Sequence, residues 1–267
     1  MKIGNYSIYH VIENCFLGDG GAMYGIVPKK IWSKFVKPDE DNLIHLHTNI
    51  YLIEGNGKYI LIDTGFGNSL DAKAKRIYGV TRESGLGNFL KQKGLDYSDI
   101  TDVVLTHLHF DHASGLFNEN ELLFPDASIW INKKEYYHSQ NTNERTKNAY
   151  PALKLSMLEK STRVNFIRND EKEISKNIFI RHTGGHTEGH QIVEIKSKNE
   201  IMVFPGDIMP NRFFAKIPYV SATDLYPLET MLIKKKIFES NNKYKNLYFA
   251  LTHESEIPVI SFRNLPL

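Results

Sequence analysis

The sequence holds a single cysteine, Cys15, so no intramolecular disulfide can form and nothing in its cysteine usage points to an oxidising compartment. It lacks an excess of either charge. Against 33 Lys and Arg stand 31 Asp and Glu, a formal charge of +2, too weak a field to argue for nucleic acid. The basic run Lys234-Lys235-Lys236 is short and reads as a solvated helix face. No hydrophobic run approaches membrane-spanning length. The N-terminus, MKIGNYSIYHVIENCF, alternates like a strand and has neither the apolar core nor the cleavage site of a secretory signal. These absences point to the cytoplasm, with no membrane and no nucleic-acid partner. Walker lysine and dinucleotide fingerprint are also missing, so Gly55-Asn56-Gly57 reads as a hairpin turn. No Ser or Thr stands in a nucleophile elbow.

What is present suffices for a sizeable core, at 41% hydrophobic residues in a chain of 267. Strand-like segments with turn punctuation recur at residues 6–12, 49–54, 59–62, 103–106, 128–131, 178–182, 191–195, 201–204 and 247–251. Helical patterns cover 85–93, 133–160 with a break at Pro151, and 227–240, where Leu228, Met231, Leu232 and Ile237 fall in phase. Sheets packed together with helices outside them are expected, and no Pro/Gly/Ser-rich linker divides the chain, so residues 1–267 read as one domain. Two segments look irregular and aromatic-rich, 16–35 and 208–226, as functional lids or binding loops often do.

Chemistry concentrates in THLHFDHASG at residues 106–115. A strand ends at Thr106, and His107 and His109 then lie two apart on one side of an extended chain, able to chelate one ion. Asp111 and His112 follow as the chain turns towards a helix, where they can face a second ion. Imidazole and carboxylate suit a borderline cation such as zinc. Further candidates each follow a strand: His186 in GGHTEGH, Asp207 in FPGD, and His253 after the run 248–251. The other such pair, His45 and His47, has no Asp-His after it and lies against a strand, so a structural role is the better reading.

With these residues the sequence resembles the metallo-β-lactamase-fold hydrolases, whose pattern is HxHxDH followed by a distant His, Asp and His, all seven positions being filled here. LIDTG at 61–65 extends the resemblance, which runs from about residue 49 to 254. It implies an α/β fold, an αββα sandwich of two mixed sheets flanked by helices, with a two-metal site at one edge of the sheets. By match of position, His107, His109 and His186 hold one ion, Asp111, His112 and His253 the other, and Asp207 bridges. Asp63 and His190 match positions that orient ligands through hydrogen bonds. The implied cofactors are two divalent ions, zinc first, with iron, manganese or cobalt as other occupants.

The implied reaction is hydrolysis by a metal-bridging hydroxide, with Asp111 as proton shuttle to the leaving group. Only fourteen residues follow His253, which leaves no room for the C-terminal helices of a glyoxalase II. His109 stands where flavodiiron proteins place glutamate, and a secreted β-lactamase brings a signal peptide. A closer resemblance is to the N-acyl-homoserine lactonases of quorum quenching, carried by DGGAMYG at 19–25, GGHTEGHQ at 184–191 and GDIMP at 206–210. The implied partner is a small-molecule lactone or ester, and a homodimer is open. Met23, Tyr24, Ile26, Trp32, Phe213, Phe214 and Tyr219 read either as walls of an acyl pocket or as packing that holds the loops down. One departure is Pro210, at the position of a substrate-binding tyrosine in some of these lactonases, with Tyr226 or Tyr219 as substitutes. A related esterase, a phosphodiester or phosphotriester hydrolase, and a non-catalytic metal-binding protein are the alternatives.

Overall fold

The computed structural model of the chain describes residues 1–82, 84–118, 121–150 and 155–267. From the N-terminus run β1 (Lys2–Ile3), β2 (Tyr6–Asp19), β3 (Leu43–Gly55), β4 (Lys58–Ile62) and β5 (Asp102–Val104). A two-stranded ribbon of β6 (Phe117–Asn118) and β7 (Glu121–Leu122) precedes β8 (Ser128–Asn132) and β9 (Val164–Ile167). Apart from the ribbon these form one sheet, in the order β1-β2-β3-β4-β5-β8-β9, antiparallel up to β4 and parallel beyond it. The second sheet comprises β10 (Glu171–Ser175), β11 (Ile178–His182), β12 (Gln191–Lys196), β13 (Glu200–Phe204), β14 (Asn246–Ala250) and β15 (Val259–Ser261), in sequence order. Only its β13–β14 pair is parallel.

The two sheets pack face to face through the apolar residues that alternate along their strands, and central strands such as β3 and β13 are apolar on both sides. In β13, Met202 and Phe204 enter the layer between the sheets, while Ile201 and Val203 face outward into a different cluster. In β3, Tyr51 and Ile53 point inward while Ile50 and Leu52 face the outer layer. Helices cover those outer faces. They are α1 (Gly20–Tyr24), α2 (Lys29–Trp32), α3 (Ala72–Ile77), α4 (Leu86–Gln92), α5 (Phe110–Ala113), α6 (Lys133–Gln140), α7 (Leu155–Lys160) and α8 (Pro227–Asn241). Leu86 and Leu90 of α4 pack on the first sheet, and Ile233 and Ile237 of α8 on the second. This is the expected αββα sandwich. Among the described residues no helix is long and apolar enough to cross a membrane.

Three expectations need correction. The buried stripe of α8 is Thr230, Ile233, Lys234, Ile237 and Asn241, whereas Leu228 and Leu232 are 74% and 54% exposed. Lys234 is therefore no solvated residue. Its Nζ donates to the carbonyl oxygens of Phe214, Lys216 and Tyr219 at 3.0, 2.9 and 2.6 Å, which satisfy the three ammonium protons inside the protein. Finally, segment 16–35 is not a bare loop: β2 runs on to Asp19, and α1 and α2 follow. The helical break expected at Pro151 lies outside the described residues.

Candidate metal centre

All seven candidate donors sit beyond strand ends at one edge of the two sheets. Their anchoring begins at Asp63, directly after β4, whose φ of 57° turns the chain sharply. Its carboxylate accepts from the backbone N–H of Thr106 (2.7 Å), from the Thr106 hydroxyl (2.9 Å) and from His112 Nδ1 (3.0 Å). Having given its proton to Asp63, the Thr106 hydroxyl is free to accept from His107 Nδ1 at 3.1 Å. On the second sheet, His186 Nδ1 donates to Asp224 Oδ1 at 2.8 Å and His253 Nδ1 to the carbonyl of His47 at 2.7 Å. These partners can only accept, so the δ nitrogens carry the protons and the ε lone pairs converge.

The convergent atoms fit a cation. His112 Nε2 lies 3.2 Å from His253 Nε2, and His186 Nε2 lies 3.0 Å from His109 Nδ1. Facing lone pairs at such distances repel unless a proton or a metal ion lies between them. His107 Nε2 is buried with no protein hydrogen-bond partner. Three donor groups can each hold a metal ion: His107, His109 and His186; His107, His112 and Asp207; and Asp111, His112 and His253. Asp207 reaches both sides, with Oδ1 3.3 Å from His112 Nε2 and 3.4 Å from His253 Nε2, and Oδ2 3.5 Å from His186 Nε2.

The electrostatics separate the imidazoles into two classes. Burial lowers His107 and His109 well below the usual imidazole range, and neighbouring imidazoles add to the effect. Burial acts likewise on His112, His186 and His253, but the Asp207 carboxylate, helped by Asp111 or Asp224, overcomes it and raises all three. Burial would raise Asp207, yet His112, His253 and His186 hold it well below the usual carboxylate range. His190 Nε2 accepts from the backbone N–H of Asp207 at 3.2 Å, while its Nδ1 lies 2.8 Å from the Thr183 hydroxyl. Asp63 and His190 thus touch the donor segments from behind. Asp224 escaped sequence reasoning, because a lone acid in the long segment 208–226 carries no spacing signal. In GGHTEGH, Gly184 and Gly185 adopt φ of 71° and 84°, and a Cβ on Gly185 would meet Ile233 and Thr230 at 2.9 Å.

Above the donors opens a cavity of about 290 Å³. Its walls include Phe16, Met23, Leu46, Phe110 and Leu225, with Asp111 and Asp207 in the floor and Arg145 at the rim. Of the aromatic-loop candidates, Met23 alone reaches this wall. Tyr24, Trp32 and Phe214 are 0%, 2% and 1% exposed, with Tyr24 stacked between Trp32 (5.1 Å) and Phe214 (5.5 Å). Phe213 stacks on Phe35 at 4.1 Å. Tyr219 packs against the same outer core. These rings tie the two long segments together, the packing alternative of the sequence reading. Ile26 is 82% exposed. Tyr226 caps α8, 40% exposed, and does not line the cavity, whereas Pro210 does. His45 and His47 lie on β3 outside the donor groups, and only the His47 carbonyl serves the centre.

The sequence profile of the Metallo-beta-lactamase superfamily matches residues 44–237. An N-acyl homoserine lactonase from a Bacillus species is 24% identical over 214 residues, 73% of this chain and 80% of its own length. A probable metal-dependent hydrolase from Staphylococcus aureus has a crystal structure similar to this one at a TM-score of 0.92 and 31% identity, over 98% of this chain and 94% of that one. A dizinc quorum-quenching lactonase, AidC, in complex with a product, N-hexanoyl-L-homoserine, matches in fold at a TM-score of 0.78 and 22% identity, over 97% and 91% of the two chains. By profile, by relative and by fold, the chain belongs to the metallo-β-lactamase superfamily and is a hydrolase of that superfamily with lactonases among its relatives.

Proposed function

We propose that the chain is a dinuclear metal-dependent hydrolase that opens a lactone of the N-acyl homoserine type or a closely related ester. The observation that carries the reading is the position of Asp207 between two donor trios, at the floor of an apolar cavity. His107, His109 and His186 would hold one ion, Asp111, His112 and His253 the other, with Asp207 shared. Two divalent ions, zinc by the chemistry of the donors, supply Lewis acidity towards a carbonyl and towards water when bound. The chain's own part is to place and neutralise. Phe16, Met23, Leu46 and Phe110 offer apolar surface for an acyl chain and exclude water from the ester. Asp111, 16% exposed on the cavity floor, takes a proton and delivers it to the departing alkoxide oxygen. Asp224 and Asp63 fix the tautomers of His186 and His112, and His190 holds the backbone of Asp207.

A second reading, a related esterase or phosphotriester hydrolase, draws on Pro210. It lines the cavity at the position of the expected tyrosine, and neither Tyr219 nor Tyr226 is on that wall. The test is to reconstitute the chelator-stripped chain with zinc, manganese or cobalt and assay acyl-homoserine lactones, aryl esters and phosphotriesters side by side. About two ions per chain and lactone turnover that vanishes with chelator are expected. Phosphotriester turnover without lactone turnover would replace the first reading by the second.

A further inference from the structure

Glu135, in the first turn of α6, is 1% exposed. Oε1 accepts from the backbone N–H of Leu108 at 2.9 Å, between His107 and His109, and from the Tyr150 hydroxyl at 3.3 Å. Oε2 accepts from the hydroxyl of Thr187 at 2.6 Å, the residue next to His186. One carboxylate thus joins two segments 77 residues apart in sequence, the ones that bring His109 Nδ1 and His186 Nε2 within 3.0 Å. Two more contacts serve the same junction. The Tyr150 ring lies 5.2 Å from that of His109, and a Cβ on Gly189 would sit 2.0 Å from the backbone nitrogen of Glu135, so only glycine lets the His186 segment approach α6.

We infer that Glu135 is the positioning residue of the His107, His109 and His186 trio, adding to the Gln191–Thr106 backbone bond a side-chain brace that sets the distance between the two loops. The inference rests on the two-metal reading of the site. Three donors from three separate segments converge on this one buried side chain, which makes it a stiff brace. It belongs to none of the donor groups and does not line the cavity. Loss of such an outer partner typically weakens metal binding about 10–100-fold.

The experiment titrates zinc into chelator-stripped protein against a chromophoric chelator, for the unaltered chain, Glu135→Leu, Glu135→Gln and Thr187→Val. His186→Ala and His253→Ala identify which equivalent belongs to which trio. Glu135→Leu is expected to weaken about 10–100-fold the equivalent that His186→Ala loses, and to leave the His253 equivalent within a few-fold. Glu135→Gln, which keeps an acceptor for Leu108, should recover most of the affinity. If Glu135→Leu fails to fold, Thr187→Val carries the test, since it cuts one arm only and should weaken the same equivalent. Unchanged affinity in the folded variants overturns the inference while leaving the two-metal reading intact. So does equal weakening of both equivalents in step with a lower melting temperature of the metal-free protein. An unaltered chain that takes up no zinc sinks both.

Discussion

Asp111 has two neighbours that compete for its role. Its Oδ2 lies 3.4 Å from His253 Nε2 and 3.9 Å from His112 Nε2, yet the residue also lines the cavity above the donors. Asp111→Asn keeps an oxygen for coordination but cannot carry a proton. Turnover of an alkyl lactone should fall about 10²–10⁴-fold, and that of a nitrophenyl ester much less, because a good leaving group needs little acid assistance. Equal losses with both ions retained would make Asp111 a ligand only. His107→Ala and Asp207→Ala should abolish turnover whereas His45→Ala spares it. The raised imidazoles set a pH dependence. His112, His186 and His253 stand above the usual 6.5 in the metal-free chain, so their stabilising contribution is full below that pH and is lost as pH rises through their folded values. A metal ion must displace these protons, so apparent zinc affinity should climb with pH above 6.5. Flat affinity across that range, measured by chelator competition, would contradict the arrangement.

Among the elements, α8 shows how a polar residue can be part of a core. Lys234 replaces an apolar residue in the buried stripe and ties the helix to the 214–219 segment. Lys234→Met would strand the carbonyls of Phe214 and Tyr219, while that of Lys216 keeps the backbone N–H of Tyr219. At about 1–3 kcal/mol for each unpaired group, urea unfolding should show a loss of at least about 2 kcal/mol. Burial pushes Lys234 down to about 7, with Asp224 opposing it. Its folded value lies below the unfolded one near 10.5, so the unfolded chain binds more protons between them. Its contribution to stability therefore rises with pH across that window, and Lys234→Met should erase this part of the slope. The aromatic segments lead to a different pair of variants. Trp32→Ala should cost about 3–5 kcal/mol as a core cavity and leave the acyl-chain dependence of KM unaltered. Met23→Ala, on the cavity wall, should flatten that dependence, normally about 0.8 kcal/mol per buried methylene. Reversed outcomes would return Trp32 to the substrate site.

At the scale of the whole molecule, the donors come from both sheets: His107, His109, Asp111 and His112 follow β5, while His186, Asp207 and His253 belong to the second sheet. Ions held between them would staple the sandwich at its open edge. At a free concentration about a thousand times Kd, a ligand specific for the folded state adds about 4 kcal/mol. For a chain of this size that is on the order of 10 °C in melting temperature. Calorimetry with and without chelator should show the drop, and an unchanged transition after proven metal loss would mean the sheets do not depend on the centre.

The residue types at the centre and their placement after strands were legible in the sequence, because each apolar run ending in His or Asp is a local pattern whose period reports a local geometry. Central strands such as β12 and β13 were legible for the same reason, being buried on both faces. Edge strands β9 and β10 were not, since VNFI and EKEIS carry the partial exposure of strands with one neighbour. Tertiary structure alone decided what depends on contacts distant along the chain. Asp224 meets His186 across 38 residues, Glu135 meets Thr187 across 52, and Tyr24 stacks on Phe214 from the far end of the sequence. Lys234 is buried only because three carbonyls of another segment surround it. A side chain's spacing records its own strand or helix, but whether it meets a partner, a core or water is decided by segments that its spacing does not encode.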